Sequence, residues 1–431
     1  MNTLKAMEHS RESNDKFVVQ GGRRLSGTIG VYGAKNAVLK HLVVALLAPG
    51  VHHLANVPRI LDVKLMADVL EHVGATCAFE GHEVTITVPD ELRPETPLEL
   101  IRQMRASIVV LGPLLARCGK ARVAMPGGDD LGARPINMHL DGLRQLGAEF
   151  ELTHGVLKGW VDGRLHGAEI DLDYPSVGAT ENVLLGAVTA RGETIIENAA
   201  REPEIQDVAL LLSKMGAKIE GAGTSTIRIL GVDRLTPTSH RAIPDRLEAG
   251  TFAVAAVITG GRVRVDACVP DHLRMELRKL EAIGCDVARG DDWFEVDAPQ
   301  RPGSVDFATL PYPGFHTDMH PTFVAMLAIA DGTSVITENL YDSRFRYIGE
   351  LTRMGADITR EWQHAVIRGV DSLSGCPVQA PDIRAGAALV LAGLRADGQT
   401  TVHDVSHIDR GYEDFVGRLA GLGAAIERVS G

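Results

Sequence analysis

The sequence predicts an α/β protein of two domains, each assembled from three βαβαββ units. Two recurring signatures and the chain length predict it. The first signature is an apolar helix end, then Gly-Ala or Gly-Cys, then a pair of strands. It occurs at Val73-Gly74-Ala75, Leu146-Gly147-Ala148, Met215-Gly216-Ala217, Ile283-Gly284-Cys285, Met354-Gly355-Ala356 and Leu422-Gly423-Ala424. The glycines stand 73, 69, 68, 71 and 68 residues apart, and glycine at such a place suits a helix C-cap. The second signature lies half a period away. It is an apolar helix, a glycine and a strand, at Gly50, Gly119, Gly192, Gly261, Gly332 and Gly398. Units of this size exceed the common solenoid repeats. A chain of 431 residues is also long for one core, so six units are expected to close into two domains of three.

Each unit reads as strand, helix, strand, helix, strand, strand. The middle strands are typified by Glu193-Thr194-Ile195-Ile196 and Thr333-Ser334-Val335-Ile336, each directly after its glycine. The closing hairpins are typified by Thr226-Ile227-Arg228-Ile229-Leu230 after the turn Gly221-Ala222-Gly223. The first sixteen residues are polar, lack a signal-peptide core and are expected to be disordered. Phe17-Val18-Val19 and Thr28-Ile29-Gly30-Val31 look like strands without a unit of their own. They are expected to pair with the C-terminal half, so that the chain crosses twice between domains. The predicted domains are residues 35–242, and residues 1–34 together with 243–431.

Composition narrows the class. An apolar content of 45% and a charged content of 23% fit a globular protein. The net charge of -12 argues against nucleic-acid or anionic-membrane binding as partners. Cys77, Cys118, Cys268, Cys285 and Cys376 are scattered, without a CxxC pair. That suits a reducing cytoplasm and neither a disulfide framework nor a zinc site. Apolar runs such as Leu42 to Ala48 are too short to span a bilayer.

The helix starts carry the chemistry. Counting back from the second-signature glycines, the starts hold Lys35-Asn36, Arg105, Thr180-Glu181-Asn182, Asp245 to Glu248, Thr317-Asp318 and Arg384. The alternate helices begin near Arg134, Glu202 or Glu204, Asp271, Arg344 and Arg410. Any one of these cations alone reads as a solvated surface charge. Six of them at matching starts, added to the helix dipoles, point to a cleft that attracts polyanions. Pro126 to Pro135 is a glycine-rich strand-to-helix loop carrying Asp129, Asp130 and Arg134. An acid–base loop and a plain surface turn fit its spacing equally.

Specific strings go further. They are Gly33-Ala34-Lys35-Asn36, Met104-Arg105-Ala106-Ser107, Pro126-Gly127-Gly128 through Gly132-Ala133-Arg134-Pro135, and Ser176-Val177-Gly178-Ala179-Thr180. Asn198 to Glu204, Thr317-Asp318-Met319 and His407 to Tyr412 complete the set. With these, Lys16 to Gly431 resembles the enolpyruvyl transferase family, on the branch that carries the Pro-Gly-Gly loop. The resemblance implies a two-domain inside-out α/β barrel with the active site in the interdomain cleft. It implies transfer of the enolpyruvyl group of phosphoenolpyruvate to the 3-hydroxyl of UDP-N-acetylglucosamine, with release of phosphate and with no metal or organic cofactor. A cytoplasmic monomer is expected, with these two small molecules as its partners. The alternatives are action on another nucleotide sugar, or a catalytically silent relative that binds one.

The resemblance also implies roles. Lys35, Arg134 and Arg410 serve the phosphate side of phosphoenolpyruvate, Arg344 and Arg384 its carboxylate, and Asn36 the sugar and the intermediate. Asp318 is the implied base and Asp129 the implied proton donor, with Lys35 the third catalytic residue. The UDP-sugar site is implied at Arg105, Arg134, Pro135, Ile136, Asn137, Met138, Tyr174 to Val177 (which include Ser176), Asp318 and Leu340. At a helix start, Lys35 is expected to be exposed and to contribute little to stability.

Two places depart from the usual pattern. Aspartate stands at 129, where the family commonly has cysteine. His316 and His320 flank the Thr-Asp-Met string, either close enough to tune Asp318 or simply facing solvent. The epoxide fosfomycin inactivates the family by alkylating the loop cysteine, and a carboxylate is a much poorer nucleophile than a thiolate. The protein is therefore expected to resist fosfomycin. Asp129→Cys should gain time-dependent inactivation while keeping some turnover, and Asp129→Ala should lose most turnover. Covalent modification of the wild type, or full turnover by Asp129→Ala, rejects the assignment.

Overall fold

A computed structural model describes residues 14–97, 100, 103–129, 131, 132 and 135–431. Asp130, Ala133 and Arg134 of the glycine-rich loop lie outside the described residues, as do residues 1–13 of the N-terminal segment expected to be disordered. That expectation fails at its end, because Lys16 already opens the strand Lys16–Gln20.

Contacts divide the chain into two compact units. One is Gly33–Asp129 with Arg134–Ile243. The other is Met1–Tyr32, Asp130–Ala133 and Pro244–Gly431. Each unit holds three small sheets among the described residues. The pattern is plain in the third repeat. Strand Glu169–Asp171 runs parallel to Glu193–Glu197, and the hairpin Lys218–Glu220 and Thr226–Leu230 adds antiparallel to it. Residues alternate between buried and exposed along Thr226–Leu230, as a strand with one covered face requires.

Helices, not sheets, occupy the middle of each unit. All thirteen residues of helix Arg246–Ile258 are buried, as are twelve of the thirteen in Ile383–Arg395. In the other unit, ten of the eleven residues of Lys35–Ala45 are buried. A helix apolar on every face can be stable only inside. Helix His320–Leu327 packs against both Ile383–Arg395 and Arg246–Ile258, and Leu111–Cys118 packs against Val177–Ala187. Two apolar clusters, one per unit, surround these helices. This is the inside-out α/β arrangement.

The N-terminal strands complete sheets of the C-terminal half. Lys16–Gln20 lies between Gln399–His403 and Ala425–Val429, filling the place of a hairpin strand in the sixth repeat. Ser26–Gly30 runs parallel to Arg262–Asp266. Strand Ser239–Arg241 is the counterpart, pairing with Gly50–Ala55 of the first repeat.

The six glycines of the first signature, Gly74 to Gly423, all have φ between 94° and 117°. This is left-handed backbone, which an L side chain strains. The second signature obeys the same rule at five positions. At the fourth, Gly260 takes the positive φ of 60°. Gly261 is needed for a different reason, because a Cβ there would lie 2.1 Å from the Leu25 carbonyl oxygen.

The second helix of the sixth repeat, which the sequence suggested would begin near Arg410, is split around that residue. Ser406–Asp409 is a separate short helix whose C-cap is Arg410. The longer helix Phe415–Gly421 starts at Asp414, whose carboxylate accepts the Gly417 N–H at 3.2 Å. A capping carboxylate outcompetes an arginine as a helix start.

These glycines differ in what they tolerate. Gly216 has open space where a Cβ would go, so Gly216→Ala meets only the cost of positive φ, about 1–2 kcal/mol. Gly261 has no positive φ, but Gly261→Ala must move the backbone at Leu25 and should destabilise more. Denaturant unfolding of both variants checks the ranking, and equal losses contradict it.

Candidate active site

In the unit containing Pro244–Gly431, Asp318 sits on the 3-10 turn Thr317–Met319, ahead of helix His320–Leu327. Its two carboxylate oxygens go to different arginines. Arg344 Nη2 donates to Oδ1, and Arg384 Nε donates to Oδ2 at 3.3 Å. Arg344 also donates from Nε to the Thr317 carbonyl at 3.2 Å. Both arginines are buried. Burial by itself lowers a guanidinium pKa, yet both are raised. Asp318, Asp382 and Glu338 overcome burial at Arg344, and Tyr412, Asp318 and Asp245 do so at Arg384.

Arg384 stands in the first turn of Ile383–Arg395, whose cap Asp382 accepts the N–H groups of Arg384 and Ala385, both at 2.9 Å. Its guanidinium lies 5.1 Å above the Tyr412 ring. Its Nη1 is buried with no hydrogen-bond partner among the described residues. An unsatisfied buried donor costs about 1–3 kcal/mol, more if charged. Two guanidiniums share the Asp318 carboxylate and leave one N–H over, an arrangement that can take a further oxygen acceptor.

The flanking histidines are not both at the surface. His320 is fully buried, edge-on to Phe345, with Nδ1 3.6 Å from Glu338 Oε2. Burial first, then Arg344, pushes its pKa well below 6.5, so the ring is neutral. His316 is half-buried, and its Nδ1 accepts the Asp318 N–H at 3.0 Å. It therefore caps the turn that carries Asp318. Leu340 is half-buried with its N–H on Glu338 Oε1 at 2.8 Å, and Arg410 is half-buried on its short helix.

In the other unit, Lys35 opens helix Lys35–Ala45. It is not the exposed lysine that its position suggested. It is 9% exposed, and its Nζ lies 2.9 Å from the carboxylate of the fully buried Asp62. The helix is buried on every face, so even its polar start lies inside. Asn36 is half-buried, and its carbonyl accepts from Lys40 Nζ at 2.9 Å. Lys40 also lies 3.3 Å from Glu181, whose pKa burial pushes up to about 7 against the pull of that lysine.

Arg105 opens the 3-10 helix Arg105–Val110 and donates to the Pro135 carbonyl at 3.4 Å. The loop runs over it. Gly128 has φ of 97°, and a Cβ there would lie 2.9 Å from Arg105 N. Only glycine lets the chain lie so close, and it leaves Asp129 half-buried directly after. Ser176 caps helix Val177–Ala187 by accepting the Ala179 N–H at 3.4 Å. Ile136 is buried, Met138 and Val177 are half-buried, and Pro135, Asn137 and Tyr174 are exposed. Arg134, assigned to both substrates, lies outside the described residues.

Residues that spacing did not reveal hold these groups. Asp62, Lys40, Glu181 and Glu338 are among them. So is His139, whose ring covers Gly178 and whose Nδ1 lies 3.1 Å from Asn182 Nδ2. Asn182 also donates to the Ile108 carbonyl at 3.0 Å and accepts the Gly112 N–H at 2.8 Å. An amide nitrogen can only donate, so His139 Nδ1 accepts. A helix-start lysine or an in-helix histidine carries no mark of such partners in its own neighbourhood.

One grouping among the described residues has the donors of a metal site: His41, Asp207 and His240. Its hydrogen bonds argue for a different use. The Lys214 ammonium donates to His240 Nδ1 at 3.1 Å, which keeps the ring hydrogen on Nε2, aimed at Asp207 Oδ1 at 2.9 Å. A metal on Nε2 would force a hydrogen onto Nδ1, against the ammonium. His41 Nε2 lies 3.1 Å from Asp207 Oδ2, and that oxygen also accepts the Ile243 N–H at 3.1 Å. The group is a clamp on the strand leading to Ile243.

His139 gives a pH test. Burial first, then Arg105 and Lys40, lowers its pKa to about 3. A depressed folded-state pKa means stability that is present above the unfolded value near 6.5 and lost as pH falls towards 3. His139→Leu should reduce the slope of stability against pH in that window by one proton, about 1.4 kcal/mol per pH unit. Denaturant midpoints between pH 7 and pH 4 measure it. An unchanged slope would mean that His139 is not the buried neutral group described.

Comparison with known proteins agrees with this architecture. Residues 19–419 match the family model of EPSP synthase (3-phosphoshikimate 1-carboxyvinyltransferase). A protein of Mycolicibacterium paratuberculosis named UDP-N-acetylglucosamine 1-carboxyvinyltransferase is 54% identical over 415 residues, covering 96% of this chain and 99% of its own. A Nocardia farcinica protein of the same name is 52% identical, covering 97% and 99%. Among solved structures, the enolpyruvyl transferase NikO from Streptomyces tendae matches with a TM-score of 0.88 at 26% identity, over 97% of this chain and all of that one.

Proposed function

The chain belongs to the EPSP synthase family of enolpyruvyl transferases, and on that premise we propose that it moves the enolpyruvyl group of phosphoenolpyruvate to the 3-hydroxyl of UDP-N-acetylglucosamine. Phosphate leaves, and the product begins the committed route to peptidoglycan. The relatives that share half of its residues over nearly their full length carry the name of this reaction. The unpartnered buried Nη1 of Arg384, beside a carboxylate shared by two arginines, carries most weight in the structure.

The chemistry asks for an addition and then an elimination. The sugar oxygen attacks C2 of phosphoenolpyruvate while its proton passes to Asp318 and C3 gains a proton from Asp129. The C2–O bond to phosphate then breaks, with loss of a proton from C3. Arg344 and Arg384 take the substrate carboxylate, for which a planar guanidinium is shaped. Its arrival gives the arginines a further anion and loosens their hold on Asp318, which frees that carboxylate to accept a proton. Lys35, Arg134 and Arg410 take the phosphate, and Asn36 orients the sugar and the intermediate. Arg105, Arg134, Pro135 to Met138, Ser176, Val177 and Leu340 hold the UDP-sugar. No metal or organic cofactor enters any step. The protein works as a monomer in the cytoplasm, where its five unpaired cysteines are at home.

Phosphate release with phosphoenolpyruvate and a panel of UDP-sugars tests the reading. Turnover should require both substrates and favour UDP-N-acetylglucosamine. Arg384→Lys keeps the charge and loses the fork. One lost charge-assisted bond is worth about 1.5–3 kcal/mol, so kcat/KM for phosphoenolpyruvate should fall roughly 10- to 100-fold. No phosphate release with any sugar would leave only a silent, nucleotide-sugar-binding protein, and preference for another sugar would name a paralogue.

A further inference from the structure

Glu338 is a buried carboxylate that none of the steps above uses. It directly follows strand Thr333–Thr337 and is 4% exposed. Its Oε1 accepts from Thr309 Oγ1 at 2.9 Å, from the Leu340 N–H at 2.8 Å and from the Tyr341 N–H at 3.3 Å. Its Oε2 accepts from Thr317 Oγ1 at 2.9 Å. Three segments meet at this one group. They are the end of strand Phe307–Ala308, the turn carrying Asp318, and the loop that leads into Arg344.

Thr317 is tied from two sides. Its hydroxyl holds Glu338, and its carbonyl holds Arg344 Nε. Asp318 is the next residue, and its carboxylate holds Arg344 as well. The distance from Asp318 to the substrate-binding arginine is therefore set by a closed loop of bonds through Glu338. A core built only for stability would place an apolar side chain here, since burying a carboxylate is costly. No apolar residue could accept four donors on two oxygens. Burial raises the pKa of Glu338, while the Leu340 N–H, Arg344, Thr317 and Thr309 oppose that rise. Neutral His320 stands against Oε2 without adding a charge.

We propose that Glu338 is a positioning residue for enolpyruvyl transfer, locking the Asp318 turn and the Arg344 loop in register through Thr317, Leu340 and Tyr341. The inference rests on the reading of Asp318 as the base. Glu338 touches no substrate in this role and acts through its neighbours.

Thr317→Val tests it most cleanly, because it keeps the shape and removes one hydroxyl. Misplacement of a reacting group by about 1 Å can cost 10²-fold, so kcat should fall roughly 10- to 100-fold, with both KM values within about twofold of wild type. The melting temperature should fall by several degrees with folding retained, the equivalent of one hydrogen bond to a carboxylate. Thr317→Ser restores the hydroxyl and should return kcat to within about threefold of wild type. Wild-type kcat in folded Thr317→Val overturns the inference. So does an equal loss in Thr317→Ser, which would make the site one of packing. Asp318→Asn separates the two readings. If it keeps full turnover, the base assignment fails; if it is inactive while Thr317→Val is fully active, only the positioning role fails.

Discussion

Two guanidinium groups cannot be buried side by side without a counter-charge, and Asp318 supplies it. Removing water from a cation costs several kcal/mol even after the protein relaxes. Asp318 repays that cost to Arg344 and Arg384 together, one oxygen to each. Much else in the unit follows from this arrangement. Asp382 caps the helix that presents Arg384 and adds negative charge near Arg344. Tyr412 lies under the Arg384 guanidinium, with its hydroxyl 2.9 Å from Thr251 Oγ1. The arrangement still leaves one N–H of Arg384 unused. A buried guanidinium with an unused N–H is stabilised by any oxygen acceptor that reaches it, and the substrate carboxylate proposed for this place would be one.

The other unit answers the same constraint with lysines. An inside-out fold puts helices at the centre, so a helix start is buried along with the rest of the helix. Lys35 pairs with Asp62 and Lys40 with Glu181. Because these pairs sit away from solvent, their fields are screened far less than those of surface charges. The fold thereby turns ordinary helix N-termini into strong electrostatic positions. Placing chemistry there exploits the architecture and requires no special loop for each charge.

Legibility in the sequence follows the range of the interactions. Glycines at positive φ and the alternation of hairpin strands are set by near neighbours, so the six-repeat pattern and the inside-out α/β class were readable. Capped starts such as Ser176, Asp245 and Asp382 act within three residues, so helix positions were close. The pairs were not readable. Lys35 meets a residue 27 positions away, Lys40 one 141 away, and Glu338 gathers segments 21 and 29 residues before it. The burial of Lys35 and His320 escaped for the same reason, since spacing gives a helix start but not what covers it. The split around Arg410 was not readable because Asp414, in left-handed backbone with φ of 44°, makes a cap of unusual geometry.

The same economy governs the chain at Gly33 and Pro244, two of the places where it passes from one unit to the other. On one side of them, Ala34 N–H donates to the Ile243 carbonyl at 2.7 Å, and on the other side Asp245 N–H donates to the Tyr32 carbonyl at 2.8 Å. Each pair is anchored inside its own unit by buried charge. Asp207, shared by His41 and His240, takes the Ile243 N–H. Glu248 takes the Tyr32 N–H at 3.1 Å, while Arg418 bonds both Glu248 and the Gly30 carbonyl. Gly33 and Pro244 are what remains between the anchors. Gly33 admits no side chain, because a Cβ would lie 1.7 Å from the Asn56 carbonyl oxygen. Pro244 has no N–H to bond and a fixed φ. Each of these two junctions is thus bounded on both sides by residues that buried charge anchors within their own unit.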